Sequence, residues 1–236
     1  MTSGAKAAAI LKLPKIKNIS DLEKLIDKIG FLPFFSNQIE GFSIEENIDP
    51  RYWFSEGVEG AWEWKGAVIR DINCAYGKFF GGKAGFISRK WYPDFANFRR
   101  DGYDFDARYD DGLTRFSDKE VYDILEKHGS LLSGELKRLG GFGGSNGKKG
   151  FDGIMTRLQK QGYVVIADFE YKRDKQGQPY GWGVARYSTS DNFFGKYLTE
   201  NVYTKSPEQS GKKIFDYLSA KYPKIDEKKL RKFIEG

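Results

Sequence analysis

The chain has 236 residues, of which 39% are hydrophobic, 31% charged and 16% aromatic, with a formal net charge of +6. So many aromatic residues exclude wholesale disorder. A single cysteine and a single histidine exclude an internal disulfide framework, a cysteine-rich zinc site and a histidine metal cluster.

No apolar run approaches the roughly 18–20 residues that span a bilayer, so no membrane association is expected. The lone Cys74 suits a reducing compartment, and a cytoplasmic location is expected. Charge alternates along the chain: residues 31–60 carry −5, 61–100 carry +5, 101–147 carry −4 and 148–186 carry +4. The two basic stretches are also interspersed with glycines and aromatics. Basic surface interleaved with rings suits nucleic acid, although a solvated lysine-rich face would read the same way.

In chain order, residues 1–17 read as a frayed basic arm. Ser20-Asp21-Leu22-Glu23 has the form of a capping box, and Leu22, Leu25, Ile26 and Ile29 follow at helical spacing up to Gly30. The aromatic-dense segment that follows suggests short strands at Trp62-Glu63-Trp64 and Val68-Ile69-Arg70, then a short helix from Trp91 to Phe98. A second capping pattern, Ser117-Asp118-Lys119-Glu120, opens a helix with the stripe Val121, Ile124 and Leu125. Ser133 is expected to cap another helix carrying Leu136 and Leu139. After a glycine-rich loop, Gly140 to Gly150, comes a third helix with Phe151, Ile154, Met155 and Leu158 inward. Tyr163–Phe169 and Gly181–Tyr187 read as a strand pair around the polar tip at 172–179. Ser206-Pro207-Glu208-Gln209 and Asp226 open two closing helices.

Three short helices followed by a hairpin is the order of a winged helix-turn-helix. The expected class is therefore α+β: a winged helix-turn-helix packed with an aromatic-rich N-terminal module and C-terminal helices. The expected boundaries are 1–17 (arm), 18–116 (N-terminal module), 117–190 (winged helix) and 191–236 (C-terminal helices). In this reading the third helix presents Lys148, Lys149, Asp152, Thr156, Arg157, Gln159 and Lys160 to double-stranded DNA. The wing adds Lys172, Arg173, Lys175 and Gln176. Lysine and arginine bind phosphate, whereas Arg157 or Gln159 would reach base edges. Winged helices also bind proteins, so an adaptor with a protein partner is an alternative. The run Gly141 to Lys149 mimics a phosphate loop, but its spacing is off by one and Lys149 replaces the magnesium-binding hydroxyl. No cofactor is expected.

Ile29-Gly30-Phe31-Leu32, Trp62-Glu63-Trp64-Lys65, Gly82–Ser88 and Trp91–Phe95 resemble the winged-helix DNA glycosylases of the AlkZ/YcaQ type, which excise alkylated bases or unhook crosslinks. Ala75–Phe80, Phe98–Asp106 and Tyr180–Gly183 resemble more closely a bacterial branch related to that family. The resemblance implies DNA repair and recognition of damaged bases, with an active glycosylase as a second expectation.

It also implies a Gln-x-Gln or Gln-x-Asp pair after Gly-Phe-Leu, where this chain has Pro33-Phe34-Phe35-Ser36. A later histidine is likewise replaced by Lys83. Base excision needs an amide or carboxylate to position water, which leaves Asn37, Gln38, Glu40 and Lys83 as catalytic candidates. Trp62 and Trp64, with Trp91 behind them, are base-stacking candidates. The carboxylates Asp101, Asp104, Asp106, Asp110 and Asp111 fail the calcium-loop pattern, because Arg108 and Arg115 occupy ligand positions. They read instead as ion-pairing partners, His128 reads as a helix C-terminal dipole partner, and no metal is expected.

Overall fold

The computed structural model describes residues 13–144, 146–177 and 179–236; the side chains of Arg173, Pro179 and Tyr180 fall outside the described set. Most of the expected arm lies outside it too, but Leu13 and Ile16 are buried, and Ile16 bridges to Ile48.

The elements are α1 (Ile19–Ile29), β1 (Phe31–Pro33), α2 (Ile44–Asn47), a 3-10 turn (Pro50–Tyr52), α3 (Ala61–Ile72), β2 (Ala75–Phe80), β3 (Lys83–Ile87), α4 (Tyr92–Arg100) and α5 (Phe105–Asp110). They continue with α6 (Phe116–His128), β4 (Ser130–Leu132), α7 (Ser133–Leu139), α8 (Phe151–Lys160), β5 (Val164–Arg173) and β6 (Pro179–Thr189). The last four are α9 (Ser190–Phe194), α10 (Lys196–Thr199), α11 (Pro207–Lys221) and α12 (Glu227–Glu235).

The chain is thus a mixed α+β protein built on one antiparallel sheet of order β1-β3-β2-β5-β6-β4. The first three strands join the long hairpin through a single pairing, Tyr76 with Ile166. Two hydrophobic cores flank this seam. The larger gathers α1, α3, β1–β3, α4 and the closing helices. The smaller comprises Phe105, Val121, Tyr122, Leu125, Leu131, Leu136, Phe151, Ile154, Met155, Leu158, Tyr163 and Val164. The Gly162 carbonyl ties the two together, accepting from Tyr92 Oη (3.0 Å), Arg100 Nη2 (3.0 Å) and Ser190 Oγ (2.9 Å).

Several local expectations are corrected. Trp62–Trp64 and Val68–Arg70 lie in one helix, not in strands. The Trp-Glu-Trp alternation hid a 3.6-residue period in which Ala61, Lys65, Val68 and Ile69 face inward. That helix starts where Glu63 accepts from the Gly60 N–H at 2.9 Å. A Cβ on Gly60 would stand 2.0 Å from the Tyr52 carbonyl oxygen, so the tight entry requires glycine.

Helix α1 is capped by Asn18, whose side chain accepts from Asp21 N at 2.9 Å, and Ser20 lies inside the helix. Helix α6 likewise starts before Ser117: Asp118 is pulled inward to an arginine rather than left to cap. Ser133 is the first residue of α7, whose start is closed by Glu135 accepting from Leu132 N. Leu139, expected inward, is exposed at the end of that short helix.

Candidate nucleic-acid interface

Helix α8 has three faces. Phe151, Ile154, Met155 and Leu158 enter the smaller core at the expected spacing. A second face is covered by β2. There Gln159, expected to point outward, is fully buried: its Nε2 donates to Met155 O (2.8 Å) and its Oε1 accepts from Lys78 N (3.1 Å). It satisfies the β2 backbone and cannot read a base edge. Lys78 Nζ reaches Thr156 Oγ1 at 3.1 Å along the same contact.

The third face is open, with Asp152 and Gly153 exposed and Thr156, Arg157 and Lys160 half-buried. Arg157 grips Asp118 as a fork, 2.8 Å from Nε and 2.5 Å from Nη2, while its own side chain stays one-third exposed. Arg157 and Lys160 join Arg99, Gln161, Glu235 and Gly236 around a cleft of about 290 Å³. Arg99 donates to Phe79 O at 3.0 Å, and burial lowers its pKa to about 10. Its Nε, like Gln161 Oε1, is buried without a hydrogen-bond partner among the described residues. Lys148 is engaged by Glu120 at 2.8 Å, whereas Lys149 is exposed.

The hairpin cations lie elsewhere. Lys172 lines a separate cleft of about 430 Å³ with Glu135, Arg138 and Glu170. Lys175 and Gln176 are exposed at the tip. The Arg173 side chain lies outside the described residues.

The stacking candidates separate as well. Trp91 is buried against Phe31 and Tyr217, which makes it a core residue. Trp64 packs on Tyr52 (5.5 Å) and lines an open cleft of about 590 Å³ with Glu63 and Tyr171. Trp62 points the other way, into Phe34, Phe35 and Trp53 at 5.2, 5.8 and 5.6 Å. Its outer edge meets Trp182 of β6 at 5.8 Å. Trp182 is 64% exposed and stacks on Phe54, itself 66% exposed, at 5.7 Å and 11°. These two exposed rings were not singled out from the sequence, because nothing local pairs residue 54 with residue 182.

The catalytic candidates do not converge. Asn37 closes its own loop, donating to Phe42 O and accepting from Ile39 N, each at 2.9 Å. Gln38 reaches Lys229 O at 3.3 Å, and Glu40 is exposed. Lys83 donates to Ser36 O at 2.8 Å, bracing the Pro33–Ser36 segment.

Behind that segment lies a residue the strand reading concealed. Lys65 is buried among three rings, with Nζ 4.4 Å from the Phe169 centroid, 4.7 Å from Trp62 and 5.6 Å from Phe34. No ion pair or hydrogen bond engages Nζ among the described residues. Burial lowers its pKa to about 8. Reading residues 61–72 as a helix would have placed this lysine on the apolar face.

The acidic stretch is structural in part: Asp104 caps α5 through Ala107 N, and Asp106 pairs with Lys119 at 3.1 Å. No group of three or more potential metal-binding side chains occurs among the described residues. Nor, among them, is any helix long and apolar enough to cross a membrane.

These features define an α+β protein with one open face on α8 that carries Arg157 and Lys160, a long hairpin and an aromatic box. A family model described as "AlkZ related" matches residues 16–235, and the chain belongs to that family. No curated protein and no solved structure matches it significantly.

Proposed function

We propose that this chain binds duplex DNA through a winged helix-turn-helix and serves in the recognition of damaged bases. The unit would comprise α6, β4, α7 and α8 with the β5–β6 hairpin as its wing. The order of elements, the pairing of β4 with β6 and the shared core of the three helices support that reading. The observation that carries it is the one open face of α8, where Arg157 and Lys160 share a cleft with Arg99. A helix whose other faces are committed to packing has one surface left for a groove, and on that surface Lys160 and Arg157 stand beside Asp152 and Glu235. Membership of the AlkZ-related family supports DNA repair as the setting.

Because Gln159 is buried, base discrimination falls to Thr156, Arg157 and the hairpin, with phosphate contacts supplying most of the affinity. Arg157 is a poor probe of binding: truncating it strands the buried Asp118 carboxylate and costs stability. Lys149 and Lys160 make no ion pair among the described residues and are the cleaner positions. The test is duplex affinity against salt. Log K should fall linearly with log salt, and Lys149→Ala with Lys160→Ala should reduce the slope by about 0.9 for each phosphate that is no longer neutralised. Binding that is absent or independent of salt would overturn the proposal.

A further inference from the structure

We propose that the Lys65 amine is a nucleophile that captures the ring-opened aldehyde of an abasic deoxyribose as an imine. The inference rests on the DNA-binding reading for its substrate, but on the chain's own geometry for its chemistry.

Buried lysines are ordinarily paired with a carboxylate or bonded to carbonyl oxygens. Lys65 has neither among the described residues; its Nζ lies against the rings of Phe34, Trp62 and Phe169. Ring faces offer a cation quadrupole attraction but accept no full hydrogen bond, so they leave the nitrogen lone pair uncommitted once the proton is lost. Burial favours that loss and brings the amine to a pKa of about 8.

The titratable groups on elements packed around the cage do not reverse this. Glu63, on the same helix, favours the charged form, but by less than burial disfavours it. Asp168 of β5 is engaged by Arg70. Burial raises the pKa of Tyr76 on β2 and of Tyr171 on β5, so both hydroxyls stay neutral.

The cage is also close to the surface. Two of its rings, Trp62 and Phe169, are only half-buried. Trp62 continues outward into the exposed Trp182–Phe54 stack. A sugar that has lost its base leaves a gap in the helix, and flat rings beside a hairpin are suited to occupy or flank it.

The reaction balances without a further reactant. The neutral Nζ attacks the aldehyde carbon and forms the C–N bond, the two amine protons pass to the former carbonyl oxygen, and that oxygen leaves as water as the C=N bond forms.

The test is reductive trapping. The full chain is incubated with a duplex carrying one abasic site in the presence of sodium borohydride, which reduces an imine to a stable amine link. In parallel it is incubated with deoxyribose 5-phosphate, and the modified residue is mapped by mass spectrometry. Both adducts should map to Lys65 and fall at least tenfold in Lys65→Arg, which keeps the charge but cannot form the imine. Lys65→Met, which keeps the packing, serves as a second variant, and melting curves verify that each variant is folded. Yield should rise between pH 7 and 9 and then level off, whereas an ordinary lysine would continue to climb towards pH 10.5.

Duplex binding measured alongside separates the two proposals. Binding without any Lys65 adduct from either aldehyde overturns the nucleophile and leaves the DNA reading standing. A Lys65 adduct with the sugar phosphate but no duplex binding overturns the DNA reading and leaves a reactive amine. Adducts that map to other amines, or that survive both variants, also overturn the nucleophile.

Discussion

Arg100 and Lys65 are both buried cations, on α4 and α3, and their surroundings are opposite. Arg100 donates to Gly162 O, Ser190 Oγ, Asp191 Oδ2 and Tyr203 Oη at 2.7–3.0 Å, and its guanidinium lies 4.7 Å over the Tyr163 ring. Lys65 has three rings and no acceptor among the described residues. The difference follows from chemistry. A planar fork with five donors can bind two modules together, whereas a single ammonium in an apolar cage is a group held close to losing its proton. A buried charge bound by four acceptors marks architecture, even though Arg100 Nε itself has no partner among the described residues. A buried charge that rests on ring faces marks a place where the protein tolerates a cost, and such places concentrate at functional sites.

The largest effect expected from breaking this contrast is at Arg100. Arg100→Met should destabilise the fold by about 3–5 kcal/mol, because Asp191 and the Gly162 carbonyl lose their shared partner. Urea unfolding reads it directly, and a loss below about 1 kcal/mol would show that the junction is not held by this residue.

Lys65→Met should act in the opposite sense. The folded pKa of about 8 lies below the reference 10.5, so between those values the unfolded chain binds more protons and stability rises with pH. Below pH 8 the parent carries the full penalty, up to about 3 kcal/mol less whatever the ring faces return. The variant should therefore equal or exceed the parent in stability at pH 7, with the gap closing above pH 10. A parent whose stability relative to the variant is flat from pH 8 to 10.5 would show that Lys65 is not depressed.

The smallest effect on stability is expected at Trp182→Ala, within about 0.5 kcal/mol, since the ring is mostly exposed. Its effect on DNA should be larger: about 1–3 kcal/mol of affinity for a duplex with an abasic site or gap, where a base can stack on the ring. Equal binding by parent and variant would remove the aromatic stack from the interface.

The sequence made the helical core legible wherever the period was clean. Phe151, Ile154, Met155 and Leu158 fall inward as their spacing requires, and Ser206 with Gln209 forms the capping box they spell. Tertiary competition hid the rest. Ser117-Asp118 has the letters of a cap, yet Asp118 is drawn to Arg157, 39 residues away. Gln159 reads as an outer polar residue until β2 of the other half of the sheet is laid against α8 and takes its amide. Trp62-Glu63-Trp64 alternates like a strand, and only the helical period reveals Lys65 as an inward amine. The first two misses share a cause: a polar side chain near in sequence to one element is satisfied by another that is distant in the chain; the third is a helical period mistaken for a strand alternation.

Whether α8 and the hairpin form one DNA-binding surface is decided most directly by paired charge reversals. Lys149→Glu with Lys160→Glu on the α8 side, and Lys172→Glu with Lys175→Glu on the hairpin, are each compared with the parent for duplex affinity at one low salt concentration. Both pairs are predicted to weaken binding at least tenfold while the melting temperature stays unchanged. Parent-like affinity in both would show that DNA does not bind there.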